Sequence, residues 1–381
     1  MTDDAGPGVD WAALERDLLA LRAEMEAAIG PEDFEHFRDI ERGGRLCTAL
    51  GYATAWVMPN PLSAALLAHG NTIRWAAVMH LVAHRAYDRV PGVPERYRSQ
   101  NFAAGARRYV DWLDWILPEA WRWEHNALHH VRTGDPGDPD FVQRNTDWLR
   151  RSSLPLPMKH AVVGFFACTW KLLYYAPNTF QLLARRGARK DSQTPEGRVD
   201  DIRYLAAFDP RTEEGRAFWK SCVLPYAAAR FVAAPALFAP LGPWAVWSVL
   251  VNSLFAEVLA NVESFLLIVP NHAAEDLPSF EGRPGSRAEF LFRQIAGTAN
   301  YRTGGALRDF AHAWMNYHIE HHLFPDLPLL KYRQFQGELR QICERHGVPY
   351  RQESLARRAW KAVQIMVGEA SMSGAVSPGR S

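Results

Sequence analysis

The sequence predicts an all-α integral membrane protein with four transmembrane helices, arranged as two hairpins in the bilayer. Three observations in the 381-residue chain lead to this prediction. Long apolar stretches are concentrated in a few places, arginines flank them, and histidines cluster near or beyond their ends. The histidine clusters add a function to the fold, because grouped imidazoles are typical of a metal site.

Four apolar stretches define the two hairpins. The first hairpin is predicted over residues 45–58 and 62–84, joined by a Pro-Asn-Pro turn. The second covers residues 218–240 and 244–269, joined by a turn from Pro240 to Pro243. A hydrocarbon core about 30 Å thick needs roughly 20 helical residues. Three stretches are therefore long enough to cross it, and the first is marginal.

Arginines at the outer ends of both hairpins predict their orientation, because cytoplasmic loops carry an excess of Lys and Arg. Both turns carry no charge, so both hairpins are expected to enter from the cytoplasm and return to it. The clustered histidines then share the cytoplasmic side. The flanking arginines are Arg38, Arg42, Arg45, Arg85, Arg89, Arg211 and Arg216.

Residues 154–183 are apolar enough for a fifth crossing, which would place the last histidines on the wrong side of the membrane. We therefore predict a helix lying in the headgroup plane, where Lys159 and Lys171 and the terminal basic residues up to Lys190 would suit it. A buried helix of the cytosolic part is the alternative.

Residues beyond the hairpins are assigned to three regions. Residues 1–44 are predicted as an N-terminal cytosolic region whose amphipathic helix, 11–29, packs on the cytosolic face or lies on lipid. Residues 45–335 form the transmembrane and metal-binding domain, and residues 336–381 a C-terminal cytosolic helix with a disordered tail. The acidic N-terminus does not resemble a signal peptide, so secretion is not expected.

Composition excludes several classes of function. The net charge of +1 gives no electrostatic case for nucleic acid as a partner. The four cysteines are scattered without a CxxC pair, so neither a disulfide framework nor a thiolate zinc site is indicated. No HExxH motif is present, which argues against a zinc protease.

Histidines predict a site for two metal ions. Nine of the fourteen lie in four groups, more than a single ion can bind. Residues three or four apart share a helix face, so His80 and His84 should point the same way. His125 and His129 should do likewise, with His130 turned aside to serve a second ion. The nine are His80, His84, His125, His129, His130, His272, His318, His321 and His322.

A single HxxxH pair is more often structural or solvated, and only the combination of groups favours metal binding. The other histidines stand alone and are treated as structural: His36, His69, His160, His312 and His346. His69 lies eleven residues before His80, close to three full turns, so it is the one that could line the same cavity.

Polar residues inside the fourth stretch require partners, because a carboxylate in a membrane is costly unless it faces the bundle or a wet cavity. Glu257 and Asn261 share a face that, continued eleven residues, reaches His272, and Glu263 lies in the same stretch. These groups either support the metals or make hydrogen bonds between helices; both interpretations remain open.

Other candidate site residues are acids and tryptophans that lie near the clustered histidines in the sequence. A histidine ligand usually donates its second ring nitrogen to an acid or a carbonyl. The candidate acids are Asp88, Asp135, Asp138, Asp140, Glu320 and Asp326. Trp121, Trp123 and Trp314 either hold an apolar chain or anchor the protein at the membrane interface.

Four sequence segments resemble the histidine boxes of the membrane fatty acid desaturase superfamily, which also includes alkane hydroxylases and carotenoid ketolases and hydroxylases. They are HLVAH, EHNALHH, PNHAAED with its lone His272, and NYHIEHHLFPDLP. The resemblance covers roughly residues 60–335, and HxxHH followed by LFPDLP is its most specific part. The middle box reads HxxxHH, whereas many relatives have HxxHH.

This resemblance implies four transmembrane helices under a helical cytosolic cap that holds two irons through the nine clustered histidines, with O2 as co-substrate and a lipid or acyl chain as substrate. No HPGG heme-binding segment is present, so electrons are expected from a separate ferredoxin or cytochrome b5 type of protein with its reductase. The arginine-rich, lysine-poor composition favours a bacterial inner membrane, with the site facing the cytoplasm.

The expected reaction is O2- and electron-dependent desaturation of an acyl chain carried as a lipid, CoA or carrier-protein ester. A di-iron hydroxylase or ketolase acting on a lipid, alkane or carotenoid is the closest alternative. A zinc-binding membrane protein without catalytic activity is a remote one, because zinc has no redox chemistry.

Overall fold

The computed structural model describes residues 9–189 and 204–374, so most of the N-terminal decapeptide, Lys190 and most of the predicted tail lie outside the described residues. The first half of the chain forms α1 (Trp11–Ala27), α2 (Pro31–Ala55), α3 (Pro61–Thr72), π1 (Ile73–Met79), α4 (His80–Ala83), α5 (Arg108–Asp111), α6 (Pro118–Glu124), π2 (His125–His129), α7 (Val142–Asn145), α8 (Asp147–Arg150), α9 (Leu156–Trp170), π3 (Lys171–Tyr175) and α10 (Ala176–Arg189).

The second half forms α11 (Glu213–Phe218), π4 (Trp219–Val223), α12 (Leu224–Ala227), π5 (Ala228–Ala233), α13 (Ala234–Ala236), α14 (Pro243–Ile268), α15 (Arg287–Ala296), β1 (Asn300–Tyr301), α16 (Ala306–Ala311), α17 (His318–Leu323), α18 (Leu329–Arg345), β2 (Gln352–Glu353) and α19 (Leu355–Val367). Short 3-10 turns cover Glu95–Tyr97, Gly105–Arg107, Tyr204–Phe208, Ala239–Leu241 and Val269–Asn271. The described residues are therefore mostly helical with almost no strand, as predicted.

The first hairpin consists of α2 and the continuous helix from α3 to α4. Small residues allow these two helices to approach closely. A Cβ on Gly70 would lie 2.2 Å from the Thr48 hydroxyl, and one on Gly51 would lie 2.7 Å from Leu67. Asn60 caps the second helix by accepting a hydrogen bond from the Ser63 amide. The helix α2 begins at Pro31, well before the predicted span at residues 45–58.

The second hairpin consists of Glu213–Leu241 and Pro243–Asn271, each long and apolar enough to cross a membrane. Gly242 turns the chain between them with a φ of 97°, which favours glycine. Among the described residues, no helix of the first hairpin meets the same criterion, so the structure supports two of the four predicted spans. The polar residues His69, Asn71 and Arg74 interrupt the apolar character of that hairpin.

Both hairpin turns lie at the same end of the bundle. The Trp244 indole donates to the Val57 carbonyl at 2.9 Å. Asn252 of α14 donates to the carbonyls of Ala55 and Met58, and its own carbonyl accepts from the Asn60 amide. The two hairpins therefore run in the same sense, as the distribution of arginines predicts.

The remaining helices form a cap around the opposite end of the hairpins. The helix α1 buries Leu14, Leu18, Leu21 and Met25 and packs on α15 and α18. It therefore takes the first of its two predicted placements, against the cap. The only strands in the described residues are the parallel pair β1 and β2, which joins Asn300 to Gln352 and holds the chain after α15 to the chain before α19.

Residues 156–189 form one continuous helix of α9, π3 and α10. Its first part packs on α14 and α19 and its last part on α6, while Met158 and Phe165 stay exposed. Lys171 is a correction to the sequence interpretation: it is buried, forms an ion pair with Asp114, and lies 4.8 Å from the Trp75 ring centroid. It therefore cannot reach lipid headgroups.

The polar residues of α14 make hydrogen bonds between helices, which is the second interpretation given above. Glu257 accepts from the Trp115 indole at 2.6 Å and from the Tyr226 hydroxyl at 2.7 Å. Asn261 accepts from the Lys171 amide at 2.7 Å.

The third carboxylate of this helix, Glu263, accepts from Thr72 and contacts His69. His69 is thus a helix-packing residue, and it does not line the cavity that adjoins His80.

Candidate metal centre

Four separate segments bring the nine clustered histidines together. The helix from α3 to α4 supplies the first pair, π2 and the residue after it supply three, the turn after α14 supplies one, and α17 supplies three. All are buried except His272, which is partly buried. The sequence prediction that these rings share one site is therefore consistent with the fold.

The rings form two groups. In the first group, one nitrogen from each of five histidines lies within 4.8 Å of all the others: His80, His84, His125, His130 and His321. The second group contains His129, His272 and His322, which meet the same criterion. His318 joins the second group at its edge, because its Nε2 lies 2.7 Å from Nε2 of His272.

Distances between ring nitrogens fit a shared ion. Nε2 of His125 lies 2.9 Å from Nε2 of His80 and 3.2 Å from Nε2 of His130. Nitrogens bound about 2.1 Å from one ion at right angles would lie about 3 Å apart. Nε2 of His84 and Nε2 of His322 are buried and have no hydrogen-bond partner, so an ion would also satisfy them.

The two groups touch each other. The rings of His130 and His322 stack with centroids 4.3 Å apart and an angle of 16° between planes. His129 lies beside His130, with centroids 5.5 Å apart. Two ions bound by these groups would therefore share one site.

The division of the middle box between the groups differs from the prediction. His125 and His130 belong to the first group and His129 to the second. The reason is the π-helical turn: the amide of His130 donates to the carbonyl of His125 at 3.1 Å, an i to i+5 hydrogen bond. The rings of His125 and His129 do point the same way, with centroids 5.1 Å apart and 21° between their planes. The prediction that His130 turns aside to serve the second ion assumed α-helical geometry, whereas His130 lies in the first group.

Hydrogen bonds orient three of the nine rings through Nδ1, leaving Nε2 to face the group. His80 contacts the Ala76 carbonyl at 3.1 Å. His129 contacts both carboxylate oxygens of Asp138 at 3.0 Å. His322 has two partners, described next.

Thr133 and Gln294 hold His322. Nδ1 of His322 lies 3.2 Å from the Thr133 hydroxyl and 3.3 Å from the Gln294 carbonyl oxygen. Sequence reasoning missed both residues. Thr133 follows His129 by one turn, a position that could have suggested it, whereas nothing near Gln294 marks it.

Electrostatics keep most of the rings neutral, which leaves lone pairs for a metal. Burial lowers the pKa of six rings outside the hairpins well below the ordinary value: His125, His130, His272, His318, His321 and His322. Burial alone would also lower the pKa of His129, but the Asp138 carboxylate reverses the effect and raises it.

Of the six predicted acids, Asp138 is the one that contacts a clustered histidine. Asp88 instead accepts from the amide and hydroxyl of Ser99. Asp135 accepts from the Gly137 amide, and Asp326 pairs with arginines. These three predictions were wrong because proximity in sequence did not become proximity in space.

Glu320 lies between His318 and His321 in α17 but turns away from the metal groups. It is buried and accepts hydrogen bonds from Asn300 at 2.9 Å and from Tyr350 at 2.5 Å. It therefore fixes α17 against β1 and does not orient an imidazole.

An apolar cavity of about 260 Å³ opens onto both groups. Rings from each group form part of its wall: His80 and His125 from the first, and His129, His272 and His318 from the second. The rest of the wall is mainly aliphatic and aromatic, including Trp75, Val162, Val163, Phe166, Trp170, Leu173, Phe265 and Ile268.

Only one of the three predicted tryptophans lines this cavity. Trp121 stacks on His125 with centroids 4.4 Å apart. Trp123 instead contacts Arg186, and Trp314 lies edge-on against His36.

The cavity has one polar region. Asp140 is the only carboxylate among its described lining residues, and burial raises its pKa to about 6. The Tyr174 hydroxyl donates to it at 3.3 Å. Glu124 lies beside it, and burial with the adjacent Asp140 charge raises the pKa of Glu124 as well. The cavity is therefore suited to an apolar chain rather than to an anion.

Comparison with known proteins agrees with this geometry. Residues 54–354 match the family model described as fatty acid desaturase. The "NADPH-dependent stearoyl-CoA 9-desaturase" of Mycobacterium tuberculosis is 26% identical over 363 residues, covering 90% of this chain and 75% of that protein.

Plant and algal proteins are similar over shorter regions. The "Delta(8)-fatty-acid desaturase 2" of Arabidopsis thaliana is 26% identical over 238 residues, covering 61% of this chain and 48% of the relative. The "Acyl-lipid (7-3)-desaturase, chloroplastic" of Chlamydomonas reinhardtii is 24% identical over 315 residues, covering 81% and 56% respectively.

Proposed function

The chain belongs to the fatty acid desaturase family, and from that premise we propose that it is a membrane di-iron desaturase that forms a C=C bond in an acyl chain. The family makes it an oxidoreductase, and two of the relatives described above are named as desaturases of stearoyl-CoA and of acyl-lipid. Beyond the family, we propose that the metal is iron, that the nine clustered histidines bind it, and that the acyl chain occupies the apolar cavity.

The observation that carries the proposal is the contact between the two histidine groups and the apolar cavity. Methylene C–H bonds resist acids, bases and nucleophiles, so their oxidation needs a metal and O2. Two iron ions held by the nine histidines would supply that oxidising power. Five imidazoles from both groups face the space that an acyl chain would occupy.

The electron balance requires an external donor. Removing two hydrogens from the chain yields two electrons and two protons, whereas reduction of O2 to two waters consumes four of each. Two further electrons and two protons must therefore enter for each double bond. We propose that a separate carrier protein with its reductase supplies these electrons.

Protein side chains position the substrate and keep water out. The aromatic and aliphatic wall, including Trp121, Phe166 and Trp170, would hold an extended apolar chain beside the metal groups. A dry wall also protects reactive species from side reactions with water. The two apolar helices support placement in a membrane, which we propose to be the bacterial inner membrane with the histidines facing the cytoplasm.

Lipid profiling of a bacterial host that expresses the protein with a matched reductase tests the proposal. The expected product is an acyl chain lighter by two hydrogens, whereas a gain of one oxygen would indicate a hydroxylase. The purified protein should contain about two irons, as the two groups require. Stoichiometric zinc in protein loaded under iron-replete conditions, with no electron-dependent O2 uptake, would contradict the proposal.

Replacing one ligand in each group tests the site. His321→Ala and His129→Ala should abolish the unsaturated product while the protein remains in the membrane, because each removes a ligand from a buried group. His312→Ala is the matched control, since the His312 ring contacts the Arg308 carbonyl and the Tyr301 ring and belongs to neither histidine group. Full activity in either ligand variant would count against the assignment.

A further inference from the structure

A second cleft reaches the histidine cluster without sharing any lining residue with the apolar cavity. It has a volume of about 210 Å³, and its wall includes His130 of the first group and His322 of the second. Leu19 and Phe324 contribute apolar surface, and Arg287 contributes a charged side chain that is 61% exposed. Both metal groups can therefore be approached from this cleft.

A neighbouring cleft of about 510 Å³ meets the first one at Phe290. Thr133 and Gln294 line this neighbouring cleft, and both contact Nδ1 of His322. The two clefts thus meet at His322. The first cleft is lined by the His322 ring itself, and the second by Thr133 and Gln294, the hydrogen-bond partners of that ring.

Charge distinguishes the two clefts from the apolar cavity. Their described lining contains one carboxylate, Asp135, and five arginines: Arg22, Arg132, Arg283, Arg287 and Arg293. Arg22 is paired with Asp326, and Arg293 with Glu289. Arg287 approaches Glu15 only at 4.0 Å, so it retains most of its capacity to interact with another acidic partner.

We propose that the paired clefts are the docking surface of a small acidic protein that carries one electron at a time, and that electrons reach the metals through His130 and His322. This inference rests on the proposed function, which requires two electrons from outside for each double bond. Two reduced carriers would each be oxidised by one electron. Because electron tunnelling weakens steeply with distance, a carrier must approach the ligands closely, and these clefts offer such an approach outside the substrate cavity.

Complementary charge explains why an acidic carrier fits. Opposite charges on two proteins accelerate their encounter and fix their relative orientation. The exposed Arg287 provides the positive partner, because Arg22 and Arg293 are already paired with carboxylates. The apolar patch around Phe290 provides contact area at the centre. The apolar cavity offers no comparable cationic surface among its described lining residues.

The test measures binding of a plant-type [2Fe–2S] ferredoxin to the iron-loaded protein in lipid nanodiscs, together with ferredoxin-driven desaturation. Arg287→Glu should raise the Kd and the KM for ferredoxin about five- to tenfold and reduce the salt dependence of binding, because it reverses one charge at the surface. Arg287→Lys should restore most of the affinity, because it keeps that charge.

Arg340→Glu is the matched control. Arg340 is 60% exposed, has a carboxylate partner as Arg287 does, and lines neither cleft. Its substitution should leave the ferredoxin Kd unchanged. Equal iron contents in all variants would show that they are folded.

Three outcomes would overturn the docking surface: an unchanged Kd in Arg287→Glu, an equal loss in Arg340→Glu, or no ferredoxin binding to the unaltered protein. Failure of the proposed function is recognised separately. In that case, the unaltered protein would form no unsaturated product even after its irons have been reduced with dithionite, the excess dithionite removed and O2 admitted, whatever the binding measurements show.

Discussion

The two histidine groups are held in place by different means. In the first group, ring packing dominates: Trp121 stacks on His125, and within the described residues the Ala76 carbonyl is the one hydrogen-bond partner of a ring other than another histidine. In the second group, side chains from separate segments orient the ligands, with Asp138 on His129 and Gln294 on His322. Ring packing therefore dominates in the first group, whereas side-chain hydrogen bonds orient two rings of the second.

Of the changes that test this comparison, replacing Asp138 should have the largest effect, because it should weaken metal binding in the second group alone. Asp138→Asn removes the charge that orients His129, and loss of such a partner typically weakens metal binding about 10- to 100-fold. During titration with a chelator, the iron content should fall first from two to one per chain, because the first group does not depend on Asp138.

Asp135→Asn is the control for this change, since Asp135 accepts from the Gly137 amide and does not contact a ring of the cluster. Loss of both irons at the same chelator concentration in Asp138→Asn would show that the two groups bind metal as one unit, and the comparison would then fail.

A smaller effect is expected from filling the cavity that both groups face. Val162 lines that cavity on α9, so Val162→Trp should shorten the space for an acyl chain without touching a ligand. We expect kcat/KM to fall about tenfold for the longest accepted chain, and less for shorter ones, because a lost methylene contact is worth roughly 1–3 kcal/mol.

Products from a series of chain lengths provide the measurement. Phe165→Trp on the same helix is the control, because Phe165 is 64% exposed and lies outside the cavity. An equal fall in kcat/KM at every chain length would mean that this cavity does not determine which chain lengths the enzyme accepts.

The smallest effect is expected from deleting Ala127. The π turn accommodates one more residue between His125 and His130 than an α turn does. Deletion of Ala127 converts HxxxHH to HxxHH, and an α-helical turn can then present the same three rings. Both irons should be retained, with activity reduced by no more than a few fold.

Deleting Ala120 is the control for that experiment. Ala120 lies in α6, which has no π turn to absorb the change, so its removal should rotate all three rings of π2 and lose metal from both groups. If the two deletions lost equal amounts of iron, the π turn would not be what sets the division between the groups.

The sequence was sufficient to predict the helical class, the hairpin directions and the meeting of the nine histidines. It was not sufficient to assign His129 and His130 to their groups, because the α-helical spacing of residues in a sequence does not reveal a π-helical turn. The two predicted spans of the first hairpin are not confirmed, since polar residues such as Arg74 are distributed within its long helices. Asp138 was identified by its closeness in sequence to His129, whereas Gln294 lies 28 residues before its partner His322, and their contact depends on tertiary packing.

The order of the ligands along the chain has a consequence for biosynthesis. The first group is complete only when residue 321 has been synthesised, and the second only when residue 322 has been. Both hairpins precede that point in the chain. Under the proposed function, iron loading would therefore follow their synthesis, and during iron starvation the cell would accumulate an apoprotein that quality-control proteases can recognise.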